Sequence, residues 1–237
     1  MALSARTWTL APGPANRGKL PEPSPLFRGH GIAALVVDDG LLDPGGPLVS
    51  YEDYLSREEG SDHRSEFIGG LLYAMAGATR VHNTLTTNLV ALLRPLLRGR
   101  RCFVSQSDMM LQIDDIPDLP DRSGKACYFP DVMITCSERD AAEPLIMREP
   151  SFLVEVLSKS TAAKDRITKL DHYRRIPELL EYWIVSSDAL SVQVWRRIDG
   201  RWASTEYTRA EDIMALPMLN HSVSLQRLYE DTGLVAS

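Results

Sequence analysis

Two acidic residues stand where acids are costly. Asp131 follows Pro130 and opens the apolar segment Val132-Met133-Ile134, and Glu155 interrupts Phe152-Leu153-Val154-Glu155-Val156-Leu157, a run otherwise suited to burial on both faces. A carboxylate inside such a strand needs a partner, a proton or a cation. If the two strands are neighbours, the carboxylates converge at one end of a sheet. Hard oxygens with open water positions are what Mg²⁺ prefers, and a metal there could activate water and neutralise a phosphate under in-line attack. The residues also allow a plainer reading. Pro-Asp marks turns elsewhere in the chain, at Pro117-Asp118 and Pro120-Asp121, and Glu155 could instead pair with Arg148 or Lys159.

A lysine bears on the choice. Two positions past Glu155 lies Leu157, where a nuclease strand of the Asp…Glu-x-Lys type carries its lysine. The following helix, read as Lys164 to Ile176, offers Lys169 instead, with Asp165 and His172 four and three residues away on the same face. An ammonium aimed from that helix at the strand ends could orient an attacking water or stabilise the pentavalent oxyanion. Taken by itself, a helix lysine is a solvated surface residue.

The elements that must position these side chains follow from pattern. Ser50-Tyr51-Glu52-Asp53 resembles a capping box and starts a short helix to Arg57. Glu66-Phe67-Ile68, Gly69-Gly70 and Leu71 to Met75 read as a hairpin whose glycines supply positive φ. Val81, Leu85, Leu89, Leu92, Leu93 and Leu96 form one apolar stripe on a helix from Arg80 to about Arg98, bent or ended early by Pro95. Strands are expected within Cys102–Ile113, around Ser105-Gln106-Ser107-Asp108, and over Tyr128–Cys136 and Ser151–Leu157. The candidate lysine helix buries Ile167, Leu170 and Tyr173 and stops at Pro177. Glu181–Ser186 and Leu190–Arg197 are further strands, and Asp199-Gly200 turns the chain into Trp202–Tyr207. Asp212 to Tyr229 reads as short strand or irregular. The fold class is α+β, a mixed sheet flanked by helices.

Composition bounds the rest. A length of 237 residues predicts one principal domain with room for a tail. Residues 1–48 hold seven of the fifteen prolines and read as an irregular leader. A loose nucleotide-binding fingerprint there, Gly29 to Ala34, has proline-rich sequence where a strand is needed and β-formers where a helix is needed. No apolar run approaches the roughly 18–20 residues of a spanning helix, so no membrane is expected. Cys102, Cys127 and Cys136 are odd in number and unevenly spaced, which supports neither a disulfide framework nor a zinc knuckle and suits a reducing cytoplasm. Phosphate-loop, nucleophile-elbow and zinc-helix motifs are absent, and the five histidines are dispersed.

In sequence order, Glu66 to Tyr73, His82 opening a leucine helix, and Tyr128-Phe129-Pro130-Asp131-Val132 make one half of a pattern. Leu153 to Ser158, Ser160-Thr161, Asp165, Lys169, Tyr173-Arg174 and Glu181-Tyr182-Trp183 make the other. The succession resembles the Uma-two family, placed in the PD-(D/E)XK, or restriction-endonuclease-like, superfamily of nucleases. The resemblance covers about Val49 to Tyr207. It implies a four-stranded mixed core sheet with helices on both sides and additional strands. It also implies Mg²⁺ (or Mn²⁺) at Asp131 and Glu155, Lys169 as a migrated catalytic lysine, and Glu66 as an upstream acid completing the site. His82 and Asp165 would be accessory. Where the family usually carries Asp-Gly-Glu at the hairpin turn, this chain has Gly69-Gly70-Leu71.

The expected activity is therefore metal-dependent hydrolysis of DNA phosphodiesters. The net charge of −6 argues against a general nucleic-acid coat but allows a local basic patch. Arg166, Arg174 and Arg175 on the lysine helix are candidates to meet DNA phosphates, as is the cluster Arg94, Arg98, Arg100 and Arg101, although the same arginines would also serve solubility. The alternative is a catalytically silent nuclease fold kept for DNA binding or protein interaction; a third option is a partner protein whose leader folds on binding. Edge strands of such a sheet would suit a homodimer.

Overall fold

The computed structural model describes residues 47–75, 77–157 and 165–235, with the side chains of Asp165 and Arg166 excepted; the leader reading and the Gly29–Ala34 fingerprint lie outside the described residues. In chain order the elements are α1 (Tyr51–Glu59), β1 (Ser65–Ile68), β2 (Leu71–Ala74), α2 (Arg80–Leu93), β3 (Phe103–Gln106), β4 (Met110–Ile113), β5 (Ala126–Tyr128), β6 (Val132–Thr135), α3 (Glu138–Ala142), β7 (Ile146–Met147) and β8 (Pro150–Leu157). A π-turn (Asp165–Lys169) then runs into α4 (Leu170–Tyr173), followed by β9 (Glu181–Ser186), β10 (Val192–Ile198), β11 (Arg201–Tyr207), β12 (Ile213–Leu216), β13 (His221–Ser224) and α5 (Leu225–Leu228).

The central sheet has six strands in the order β11-β10-β9-β8-β6-β3. It is mixed: β8 and β9 run parallel, and β6 pairs with β8 antiparallel. The additional strands do not simply lengthen this sheet. β2-β1-β5-β4-β7 make a second sheet, so the polar break at Ser107 (φ 49°) moves the chain from one sheet to the other between β3 and β4.

Alternation assigns the two faces of the central sheet. Val132, Ile134, Phe152, Val154, Val156 and Trp183 point to one face, into a core shared with α2, β12, β13 and α5. Met133, Leu153, Leu157, Tyr182 and Ile184 point to the other, where they meet Ile68, Leu111 and Tyr128 of the second sheet and Leu170 and Tyr173 of α4. β8 is buried on both faces, as its apolar run predicts. The tail, read as short strand or irregular, supplies the short strands β12 and β13 and is part of the core: Met214, Leu216, Leu225, Leu228 and Tyr229 are all fully buried.

Local chemistry explains the landmarks. The Ser50 hydroxyl caps α1 by accepting from the Asp53 N–H at 3.1 Å. α2 is capped by Thr79 and buries Leu85, Leu89 and Leu93, then tightens into a 3₁₀ turn at Arg94–Leu97 carrying Pro95. The β1–β2 turn is built on two glycines for a steric reason. Gly69 and Gly70 have φ of 54° and 89°, and a Cβ on Gly69 would lie 2.6 Å from Leu119 Cβ. The loop between β4 and β5 closes over this turn, Asp121 N–H donating to Gly69 O at 3.1 Å, so no side chain fits there.

The cysteine reading needs correction. Cys102 and Cys136 are joined as a disulfide, while Cys127 is a buried thiol whose pKa burial pushes up to about 12. The sequence separation of 34 concealed the pair, because only the antiparallel pairing of β3 with β6 sets the two residues opposite one another. The support that cysteine spacing lent to a reducing compartment therefore falls away. Closing a loop of that length contributes about 3–4 kcal/mol through the unfolded chain. The Cys102→Ser, Cys136→Ser double variant should show that loss in urea unfolding, and an unchanged midpoint would contradict the bond's contribution.

Candidate active site

The face alternation of β8 points Glu155 away from α2, between Leu153 and Leu157, into the layer between the sheets. On β1, Phe67 turns to α1, where its ring stacks on Tyr54 with centroids 5.0 Å apart. Glu66 therefore faces the opposite way, toward Glu155. Lys169 comes in from the end of the π-turn, a winding often found at functional sites. Its Nζ lies 2.7 Å from Glu66 Oε1 and 3.1 Å from Glu155 Oε1, and the three residues are only 4–6% exposed. Tyr173, four residues on and on the same face, donates its hydroxyl to the same Glu155 Oε1 at 2.6 Å. Lys169 also lies 5.4 Å from the centre of the Tyr128 ring.

Asp131 stands at the end of β6, level with Glu155 in strand register, because Val132 is opposite Val154 in the antiparallel pairing. Asp131 Oδ2 accepts from the Val156 N–H at 2.7 Å, and Oδ1 lies 3.1 Å from His82 Nε2 on the first turn of α2. Burial opposes a proton on His82, but the hydrogen bond and charge of Asp131 outweigh it and hold the imidazole pKa above its ordinary value. Thr79, not His82, caps the helix.

His172 does not join this group. It turns to Tyr128, with Tyr128 Oη 2.6 Å from His172 Nδ1. Burial lowers the His172 pKa and raises that of the Tyr128 hydroxyl, so the phenol keeps its proton and neutral Nδ1 accepts it. Lys169 and His172 both meet Tyr128, whereas Ile167, expected in the buried stripe, is 73% exposed. Ile167 lies within the π-turn, which winds fewer degrees per residue than the α-helix the spacing assumed. The Asp165 side chain lies outside the described residues. Of the structural partners proposed for Glu155, Lys159 lies outside the described residues, and Arg148 donates to Gln112 Oε1 at 2.9 Å.

The arginines are more dispersed than their spacing suggested. Arg174 lies 4.2 Å over the Trp195 ring. Arg175 is exposed and pairs with Asp171 at 3.3 Å, and the Arg166 side chain is outside the described residues. Arg94 and Arg98 flank an open groove of about 400 Å³ between α2 and β3, whereas Arg100 donates to Leu219 O and Arg101 pairs with Glu138.

Sequence reasoning did not assign Tyr173 a contact with Glu155; its place one turn past Lys169 was the available signal. The Val156 amide that holds Asp131 leaves no trace in residue type. Among the described residues no three His, Cys, Asp or Glu side chains form a metal-holding group. The donor chemistry nevertheless suits a hard divalent ion. Asp131 and Glu155 offer oxygen only, Mg²⁺ commonly uses one or two carboxylates with waters, and each oxygen of Asp131 has a second lone-pair direction beyond the bond it makes.

This mixed sheet with helices and a buried acid–lysine–acid group is a nuclease-like α+β fold. A crystal structure described as a "putative nuclease belonging to DUF820" from Anabaena variabilis ATCC 29413 shares it, with a TM-score of 0.58 and 15% identity over 75% of this chain and 96% of that one. The Uma2 family model, described as "Putative restriction endonuclease", matches residues 51–227, and the chain belongs to that family. Two proteins of Synechocystis sp. are similar along most of their length. "Uncharacterized protein slr1290" is 32% identical over 77% of this chain and 92% of its own, and "Uncharacterized protein sll1609" is 33% identical over 67% and 87%.

Proposed function

We propose that this protein is a divalent-metal-dependent phosphodiesterase that hydrolyses DNA, with Asp131 and Glu155 as the cation's ligands and Lys169 as the residue that meets the reacting phosphate. The observation that carries this reading is a nearly buried ammonium held 2.7 Å from Glu66 and 3.1 Å from Glu155, beside a third acid fixed at the adjoining strand end. Glu66, Glu155 and Asp131 bring carboxylate oxygens to this part of the molecule, the donor type a hard divalent cation takes. A bound Mg²⁺ or Mn²⁺ would supply charge neutralisation on the phosphate and a lowered pKa for water.

The chain's own residues do the rest. Tyr173 and Lys169 grip the same oxygen of Glu155 and fix the rotation of its carboxylate. The Val156 amide and His82 do the same for Asp131. Hydrolysis forms a P–O bond to water as the bond to the leaving nucleotide oxygen breaks, and charge grows on the non-bridging oxygens. Lys169 is placed to stabilise that charge, and Glu66 holds the ammonium there between turnovers.

A silent nuclease fold is the competing reading, favoured by Lys169 sitting where a cation would otherwise be drawn. Supercoiled, linear duplex and single-stranded DNA, each incubated with Mg²⁺, Mn²⁺ or EDTA, separate the two. Cleavage confined to the metal-containing reactions supports the enzyme; intact DNA in all of them supports the module.

A further inference from the structure

Arg64 carries an inference that rests on the reading of this site as a DNA phosphodiesterase and extends it to how the substrate is held. Arg64 directly precedes β1, and its carbonyl still accepts from the Met75 N–H at 3.2 Å, continuing the hairpin pairing. Arg64 stands two residues before Glu66 at the start of the same strand, with its guanidinium turned to the α1 side, onto Glu58 and Phe129. Its guanidinium is pinned rather than waving. Nη1 donates to Glu58 O at 3.2 Å and stands 3.8 Å from Glu58 Oε2, and the planar group lies 5.6 Å from the centre of the Phe129 ring. Phe129 is two residues before Asp131. Arg64 is thus fixed against the two segments that supply Glu66 and Asp131, yet its side chain remains 39% exposed.

The acid on its outer side is a weak partner. Asp108 Oδ1 is 4.0 Å from Arg64 Nε, and the Asp108 side chain is 85% exposed. Asp108 sits on the bend whose Ser107 N–H donates to Asp131 O at 3.3 Å, so it belongs to the rim of the same site. A solvated pair at this distance contributes little, whereas a phosphate can take two parallel N–H bonds from an arginine fork.

We propose that Arg64 is the phosphate-binding residue at the mouth of the site, gripping a backbone phosphate of the bound strand next to the scissile one, and that Asp108 is the counter-ion which that phosphate displaces. The contact is to backbone and carries no sequence preference.

The test is equilibrium binding of the full chain to a fluorescent DNA duplex in Ca²⁺, read across a salt series, for wild type, Arg64→Gln, Arg64→Lys and Asp108→Asn. Arg64→Gln should weaken binding about tenfold at low salt and reduce the slope of log K against log[salt] by about 1. Arg64→Lys should keep the slope and lose part of the affinity, because charge remains and the fork does not. Asp108→Asn, at an exposed position, should bind several-fold more tightly. Wild-type slope and affinity in Arg64→Gln overturn the assignment and leave the phosphodiesterase reading standing. No DNA binding by wild type overturns both.

Discussion

Replacing Lys169 with methionine should destabilise the fold by about 3–5 kcal/mol in EDTA, and millimolar Mg²⁺ should return part of that loss. The ammonium is the positive centre between Glu66 and Glu155, and all three side chains are nearly inaccessible to water. Removing one partner of a buried ion group leaves uncompensated charge, and the cost is of that size. Methionine preserves most of the volume, so the packing term is small. The recovery by Mg²⁺ is the informative part. A divalent ion bound at the carboxylates beside the methionine supplies the lost charge, and binding to the folded state alone raises stability by mass action. Urea unfolding of both proteins, with and without Mg²⁺, reads the effect directly. A variant as stable as wild type in EDTA would contradict the arrangement, and a loss that Mg²⁺ leaves untouched would contradict the cation's access to it.

Glu155→Gln is expected to reduce Mg²⁺-dependent cleavage by about 10³-fold or more while the fold persists. The substitution keeps shape and leaves an oxygen for the Tyr173 hydroxyl and Lys169, but replaces the carboxylate proposed to bind the metal with a neutral amide. Losing electrostatic stabilisation of a transition state commonly costs two to three orders of magnitude, and impaired metal binding adds to it. Single-turnover cleavage at saturating DNA, beside a thermal melt, separates lost chemistry from lost structure. Wild-type rates in the variant would remove Glu155 from the mechanism.

Local signals in the sequence were read well. The double glycine at 69–70, Asp199-Gly200 with φ of 48° and 76°, and the leucine stripe of α2 each reflect a constraint among near neighbours. The acids at 131 and 155 stood out because charge within apolar strands has few tolerable environments, and the β6–β8 register does set them level. What escaped depends on contacts distant in sequence. The disulfide needs β3 paired with β6, and the second sheet needs β5 beside β1 although β4 precedes it in the chain. Ile167 escapes the buried stripe because it lies in the π-turn, whose winding departs from the α-helical period. The tail lacked a strong period of its own; its apolar residues become buried only against α2 and the central sheet.

The reading depends on one divalent ion settling on Asp131 and Glu155. Calorimetric titration of Mn²⁺ into the full chain and into its Asp131→Ala variant measures this most directly. The account predicts saturable binding of an ion by wild type and loss of that heat in the variant. Isotherms that coincide, or wild type giving no heat above dilution, would contradict it.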